Sequence, residues 1–257
     1  MGAHGTGRSY FTQLDVFELP VWRHVLGVES RNTFSVTPAT RVHRSPTRAS
    51  YDRDTGYAIL DEALVVSVAF VEGDQPFVIP MAFARAGDRL VLHAASSSRF
   101  CRVLASGARL CVTATLVDGL VLARSAMHHS LNYRSVVVLG VAEEITDTDA
   151  KLRALARLVD HVVDGRAAAC RPPNTLELKA TRVFSLPLEE VSVKRRSGGP
   201  LDDEEDLGLP FWAGVVPLEQ RVGTAVPDPA HAPRVAPPSA LAGYRRSAPA
   251  TDGEKKP

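Results

Sequence analysis

Residues 78–99 read VIPMAFARAGDRLVLHAASSSR. Two mainly apolar runs, one ending at Arg85 and one starting at Arg89, flank a tight Ala-Gly-Asp turn, the pattern of two antiparallel strands. The second strand runs straight into three serines and an arginine, where a short helix over Ser96–Ala105 begins. Leu90, Leu92 and Ala94 share one face of that strand and Arg89, Val91 and His93 the other, so His93 projects beside the serines. Ser96, Ser97 and Ser98 offer hydroxyls and helix-start N–H groups, and Arg99 adds a permanent charge with a planar donor fork. A phosphate suits that set. The plainer reading is a serine that caps the helix beside a solvated arginine, and taken alone the segment favours it.

Outward from this stretch the hydrophobic period stays close to two. Leu64–Val71 (LVVSVAFV) is a β-branched run that EGDQP breaks before Phe77–Arg85, which reads as a hairpin. Leu110–Val117 (LCVTATLV) leads to Asp118-Gly119, read as a two-residue hairpin turn into LVLARSA. Tyr133–Glu144 and Arg182–Leu188 supply two more strands. Six or more short strands, mostly antiparallel, predict a mainly β fold, a closed or nearly closed β-barrel with peripheral helices. A second helix is capped by Asp147, Thr148 or Asp149. It sets Leu152, Leu155, Ala156, Val159 and Val162 on one face and ends near Asp164-Gly165.

The chain has 257 residues, 45% of them hydrophobic, enough for a sizeable core. Its 30 Lys+Arg against 29 Asp+Glu leave a formal charge of +1, so no global field argues for nucleic acid or an acidic membrane as a partner, and binding must be local. Three cysteines without C-x-x-C spacing suit a reducing compartment. With no secretory pattern at the start and no long apolar run, the expectation is a soluble, cytoplasmic protein without a membrane partner. Residues 1–40 read as an extended or partly disordered leader, 41–217 as the folded domain, and 218–257 as a Pro/Ala-rich disordered tail.

A second polar constellation, MHHSLNYRS at Met127–Ser135, contains adjacent histidines that a strand would point to opposite faces. No nearby Cys or carboxylate completes a ligand set, so no metal site is expected. Tyr133 and Arg134, with Ser130 and Asn132, either rim a pocket or form a polar entry to the strand. The run DDEED at 202–206 reads as a solvated loop before a phosphate mimic or a metal site. Nothing resembles a Ser-His-Asp triad or a carboxylate pair, so no hydrolase is expected and no catalytic residue is named.

Taken together, RASYDRDTGYAILDEA (48–63), VIPMAF (78–83), LVLHAASSSR (90–99), DGLVLARSAMHHSLNYRSVVVLG (118–140) and VSVKRRSGGP (191–200) resemble the pyridoxamine 5'-phosphate oxidase-like, FMN-binding split-barrel family. Within it the chain is similar to the nitroimidazole-resistance subgroup. The resemblance implies a six-stranded antiparallel split barrel that forms a homodimer, with two FMN sites in clefts between subunits. It also implies Val78, Ile79, Pro80 and Met81 along the isoalloxazine edge, His93 and Ala94 beside the ribityl chain, Ser97, Ser98 and Arg99 at the phosphate, and Tyr133 and Arg134 near the site. Position 99 is Arg where many relatives have Lys, and the C-terminal Trp and Arg pattern of the vitamin B6 oxidases is not reproduced. The implied activity is a flavin-dependent oxidoreductase passing electrons from a nicotinamide donor to a small acceptor such as a nitroaromatic. The alternatives are a non-catalytic flavin or small-molecule binder, and a haem-binding split barrel with His93 or His128 as axial ligand. A deazaflavin in place of FMN is also open.

Overall fold

The computed structural model of this chain describes residues 32–230, 236–241 and 244. In chain order they form β1 (Ala49–Ser50), α1 (Arg53–Glu62), β2 (Val65–Glu72), β3 (Gln75–Ala86), β4 (Arg89–Ala95), α2 (Arg99–Ala105), β5 (Arg109–Leu122), β6 (Ser130–Val141), β7 (Glu143–Glu144), α3 (Thr148–Val162), α4 (Thr175–Ala180), β8 (Thr181–Pro187), β9 (Glu190–Arg196) and β10 (Gly214–Pro217). The fold is mainly β, an antiparallel split barrel. Its ten strands follow the order β1-β9-β6-β5-β2-β3-β4-β8-β7, with β10 added beside β5. The count exceeds the six implied by the resemblance partly because β1, β7 and β10 are edge strands of two to four residues.

Two glycines make the tight hairpins possible. Gly73, at φ 61°, turns β2 into β3, and Gly87, at φ 57°, turns β3 into β4, both in left-handed backbone that a Cβ disfavours. Strand alternation then sorts the side chains. Val66, Val68 and Phe70 of β2, Phe83 of β3, Leu90 and Leu92 of β4, and Val136 and Val138 of β6 meet inside the barrel. The opposite face of β4 is covered as well: Val91, Ala84 and Val183 pack against Ala154 and Leu158 of α3.

Two local expectations need correcting, and one helix was not foreseen. Asp118-Gly119 is not a hairpin turn, because Gly119 lacks the positive φ that such a turn needs and β5 continues through it with only a register shift between Val117 and Gly119. β10 lies against that point, and a Cβ on Gly119 would stand 3.1 Å from the Val216 carbonyl. Arg53–Glu62, quoted above without a structural assignment, is a helix whose cap is Asp52, its Oδ1 accepting from the Thr55 N–H at 2.8 Å. α3 is capped by Asp147, within the expected range, but its buried stripe is Ala154, Leu158 and His161, while Val159 and Val162 face outward. The stripe is rotated because His161 faces inward, its Nε2 2.7 Å from the Ala63 carbonyl and its ring 4.9 Å from that of Phe83.

Most of the expected leader, and part of the expected tail, lie outside the described residues. Phe34 is buried against Tyr57 of α1, and Thr40 is buried too, its carbonyl accepting from the Tyr51 hydroxyl. Toward the other end, the Tyr244 hydroxyl donates to the Val162 carbonyl at 2.6 Å.

Candidate functional site

β3 belongs to two ladders. Residues 75–82 pair with β2, whereas Phe83 to Ala86 pair with β4, the last rung being Phe83 opposite Leu92. Beyond that rung His93, Ala94 and Ala95 keep β8 on one side, opposite Val183, Arg182 and Thr181, and have no β3 partner on the other. The barrel therefore opens where β3 and β4 part, with Ala82 exposed on one lip and His93 on the other. The His93 Nδ1 is buried and has no hydrogen-bond partner among the described residues. Burial pulls its pKa below the ordinary imidazole value, so the ring is neutral at pH 7. A buried nitrogen without a partner among the described residues marks His93 as a group with hydrogen-bonding capacity to spare.

The sequence candidates around it divide between two faces. On β3, Val78 and Pro80 point to solvent, with Val78 64% exposed, while Ile79 and Met81 turn toward the core, so side chains of only half that quartet share a surface. Ala94 likewise packs on the core, opposite in direction to His93. Ser97 is exposed. Ser98 caps α2, its Oγ accepting from the Cys101 N–H at 3.2 Å. Arg99 pairs through Nε with Glu72 at 2.9 Å and lies 4.2 Å over the Phe77 ring. The serine therefore has a structural duty in this state, and Ser98→Ala is expected to cost about 1 kcal/mol of stability, read as a lowered urea midpoint with unchanged slope.

Tyr133 and Arg134 are sequence neighbours on β6 and so face opposite ways. Tyr133 stands opposite Arg196 of β9. Arg134 is clamped by Glu62, at 2.5 and 2.9 Å, and by Asp118, at 2.8 and 2.9 Å, which holds its guanidinium firmly protonated and leaves it no role as a free anion receptor. Glu72, Glu62 and Asp118 are the partners that sequence reasoning missed, since nothing in their local patterns reveals a contact made across the fold. In the acidic run, Asp202 accepts from the Arg124 N–H at 2.8 Å and pairs with its guanidinium at 2.9 Å, while Asp203 lies 3.3 Å from His128. Among the described residues no group of His, Cys, Asp and Glu could hold a metal ion.

Among the described residues, nothing covers the valines on the outer face of β2 and β3, and that face runs on into β5 and β6. Val65 and Val71, each 53% exposed, and Val78 lie on it, in cross-strand register with Ala82, Pro76 and Ala69, and it continues through Thr113 and Val137. Among the described residues no helix is long and apolar enough to cross a membrane.

Residues 52–195 match the family model for pyridoxamine 5'-phosphate oxidase. The chain is similar to the solved flavocytochrome Anf3 from Azotobacter vinelandii, with 40% identity, 82% of this chain and 98% of that one covered, and a TM-score of 0.78. It is also similar to the FAD and heme binding protein from Mycobacterium smegmatis, at 36% identity, 76% and 96% coverage and a TM-score of 0.73. No curated protein matches the chain.

Proposed function

The chain belongs to the pyridoxamine 5'-phosphate oxidase family of split barrels, and from that premise we propose that it is a redox protein holding both a flavin and a haem. The observation that carries this reading is the 40% identity, over nearly the whole of the other chain, to a protein described as a flavocytochrome. FMN, implied by the first resemblance, gives way to FAD, because the 36% identical relative is described as binding FAD and haem.

The residues fit both groups. A flavin ring suits the uncovered surface of β3 formed by Val78, Pro80 and Ala82, a flat apolar strip beside the opening. Its phosphate can draw on Ser97 and Arg99, since the Arg99–Glu72 pair is half exposed and such pairs are cheap to exchange. For the haem, His93 is the candidate ligand, a neutral imidazole with an orphaned nitrogen. The alternative, His128, is already engaged by Asp203. Flavin and haem bound together supply one- and two-electron chemistry. That chemistry would carry electrons from a nicotinamide donor to a small acceptor. The chain's own part is to exclude water along β3 and to hold His93 neutral.

The absorption spectrum of purified protein tests this. Flavin bands and a Soret band are expected together, with FAD released on denaturation. His93→Ala is expected to abolish the Soret band and keep the flavin bands. Protein that carries no flavin and takes up neither FAD nor FMN would overturn the assignment, and flavin bands unaltered by NADH or NADPH would reduce it to a binder without turnover.

A second copy of the chain is the proposed cover for the outer face, where exposed valines in register form a surface that monomers seldom leave bare. Light scattering should give twice the chain mass, and Val78→Asp should shift the species toward the monomer. A monomeric wild-type chain would remove the shared-cleft arrangement.

A further inference from the structure

At one corner of the sheet the turn before β1 meets the end of β9. Residues 41–48 read RVHRSPTR and residues 194–196 read KRR, with no acid in either stretch. They are tied together: Ala49 pairs with Lys194, and the Lys194 Nζ donates to the Arg44 carbonyl at 3.1 Å.

Arg196, the last residue of β9, is 7% exposed. Its guanidinium donates to the Asn132 Oδ1, to the Gly198 carbonyl at 3.1 Å and to the Gly199 carbonyl at 2.7 Å, all of them neutral acceptors. Among the described residues no carboxylate pairs with it. Burial, with the charge of Arg48 adding to it, pulls its pKa below the ordinary guanidinium value. Three other sheltered arginines do have a counter-charge: Arg134 has Glu62 and Asp118, Arg124 has Asp202, and Arg182 has Glu144. Arg196 is more buried than these, and a buried cation without a counter-ion is costly unless an anion arrives to meet it.

The surroundings leave room for one. Gly198, at φ 95°, and Gly199 are exposed, and an added Cβ on either would meet nothing within 4 Å. In the turn before β1, Ser45 is held at φ 55°, the one non-glycine residue with positive φ among those described, a strain that persists only where its surroundings enforce it.

We propose that this corner is a diphosphate-binding site that takes the phosphates of a nucleotide between the Arg196–Gly199 loop and the turn carrying Arg44 and Arg48. Because Arg196 Nη1 and Nη2 already serve Asn132, Gly198 and Gly199, Arg196 contributes its charge from beneath the loop, while Arg44 and Arg48 supply the donors at the surface and the bare glycine loop lets the backbone come close. The site shares no residue with the Val78–Arg99 region and goes beyond the flavin and haem assignment. A free nucleoside diphosphate, a nicotinamide dinucleotide and the flavin's own diphosphate share this chemistry.

Calorimetric titration of the protein as purified with inorganic pyrophosphate, ADP and NADH tests it. Pyrophosphate and ADP are expected to bind, more weakly as salt is raised. Arg48→Glu and Arg196→Gln are each expected to weaken pyrophosphate by roughly tenfold or more. Arg48 is half exposed, so its replacement reports on the site even where Arg196→Gln fails to fold. NADH binding tighter than pyrophosphate identifies a dinucleotide donor as the occupant, and equal affinities identify free phosphates. Loss of the flavin bands in Arg48→Glu identifies the flavin's own diphosphate. Absence of pyrophosphate binding by a protein that carries no flavin, or an affinity unchanged in Arg48→Glu, would overturn the proposal. Absence of flavin with pyrophosphate binding intact would fault only the flavin assignment.

Discussion

Arg134→Met is expected to cost about 3–5 kcal/mol of folding stability. The side chains of Arg134, Glu62 and Asp118 are only 17%, 15% and 19% exposed, so removal of the cation takes from two sheltered carboxylates the positive charge that they share. Each would lose charge-assisted hydrogen bonds and face a like-charged neighbour. Urea melts of the two proteins check the size, and an unchanged midpoint would mean that the cluster contributes nothing to folding. The triple variant Arg134→Met, Glu62→Gln, Asp118→Asn should recover much of the loss, because two carboxylates then no longer face each other.

Phe83→Ala is expected to be comparably damaging, about 3–5 kcal/mol. Phe83 is fully buried, packs 4.9 Å from the His161 ring, and forms the last rung between β3 and β4. A cavity there loosens the rung that sets the width of the opening beside His93, so bound flavin and haem should fall together with stability. Leu176→Ala, 76% exposed on α4, is the control and should change stability by about 0.5 kcal/mol or less. Equal effects of the two substitutions in denaturant melts would contradict the placement of Phe83 in the core.

The strands were legible because period-two patterning and Gly-Asp turns are local signals. Leu90 and Leu92 inside, with His93 on the other face, follow from parity alone. Asp118-Gly119 misled because the same dipeptide serves a hairpin or a register shift, and the choice was made by β10, distant in sequence, lying against Gly119. The inward stripe of α3 was misjudged for a related reason: hydropathy favours Val159 over His161, yet the histidine has the Ala63 carbonyl to meet. At the candidate site, the serines and Arg99 were visible as a chemical set. Their occupation by Cys101 and Glu72 was not, since Glu72 reaches Arg99 from the end of another strand. Arg196 stood in plain view within KRR, but only burial distinguishes it from its solvated neighbours.

The passage of β3 from one ladder to the other has a kinetic consequence. The gap beside His93 comes from strand pairing, and its lips are held by completed hydrogen-bond ladders on their far sides. Among the described residues no segment has to order around an incoming cofactor at that point, so association there carries little conformational cost and is limited mainly by encounter and desolvation. Loading and release at the split should therefore scale with access to the outer face, and a second copy lying across that face would slow both by the same factor.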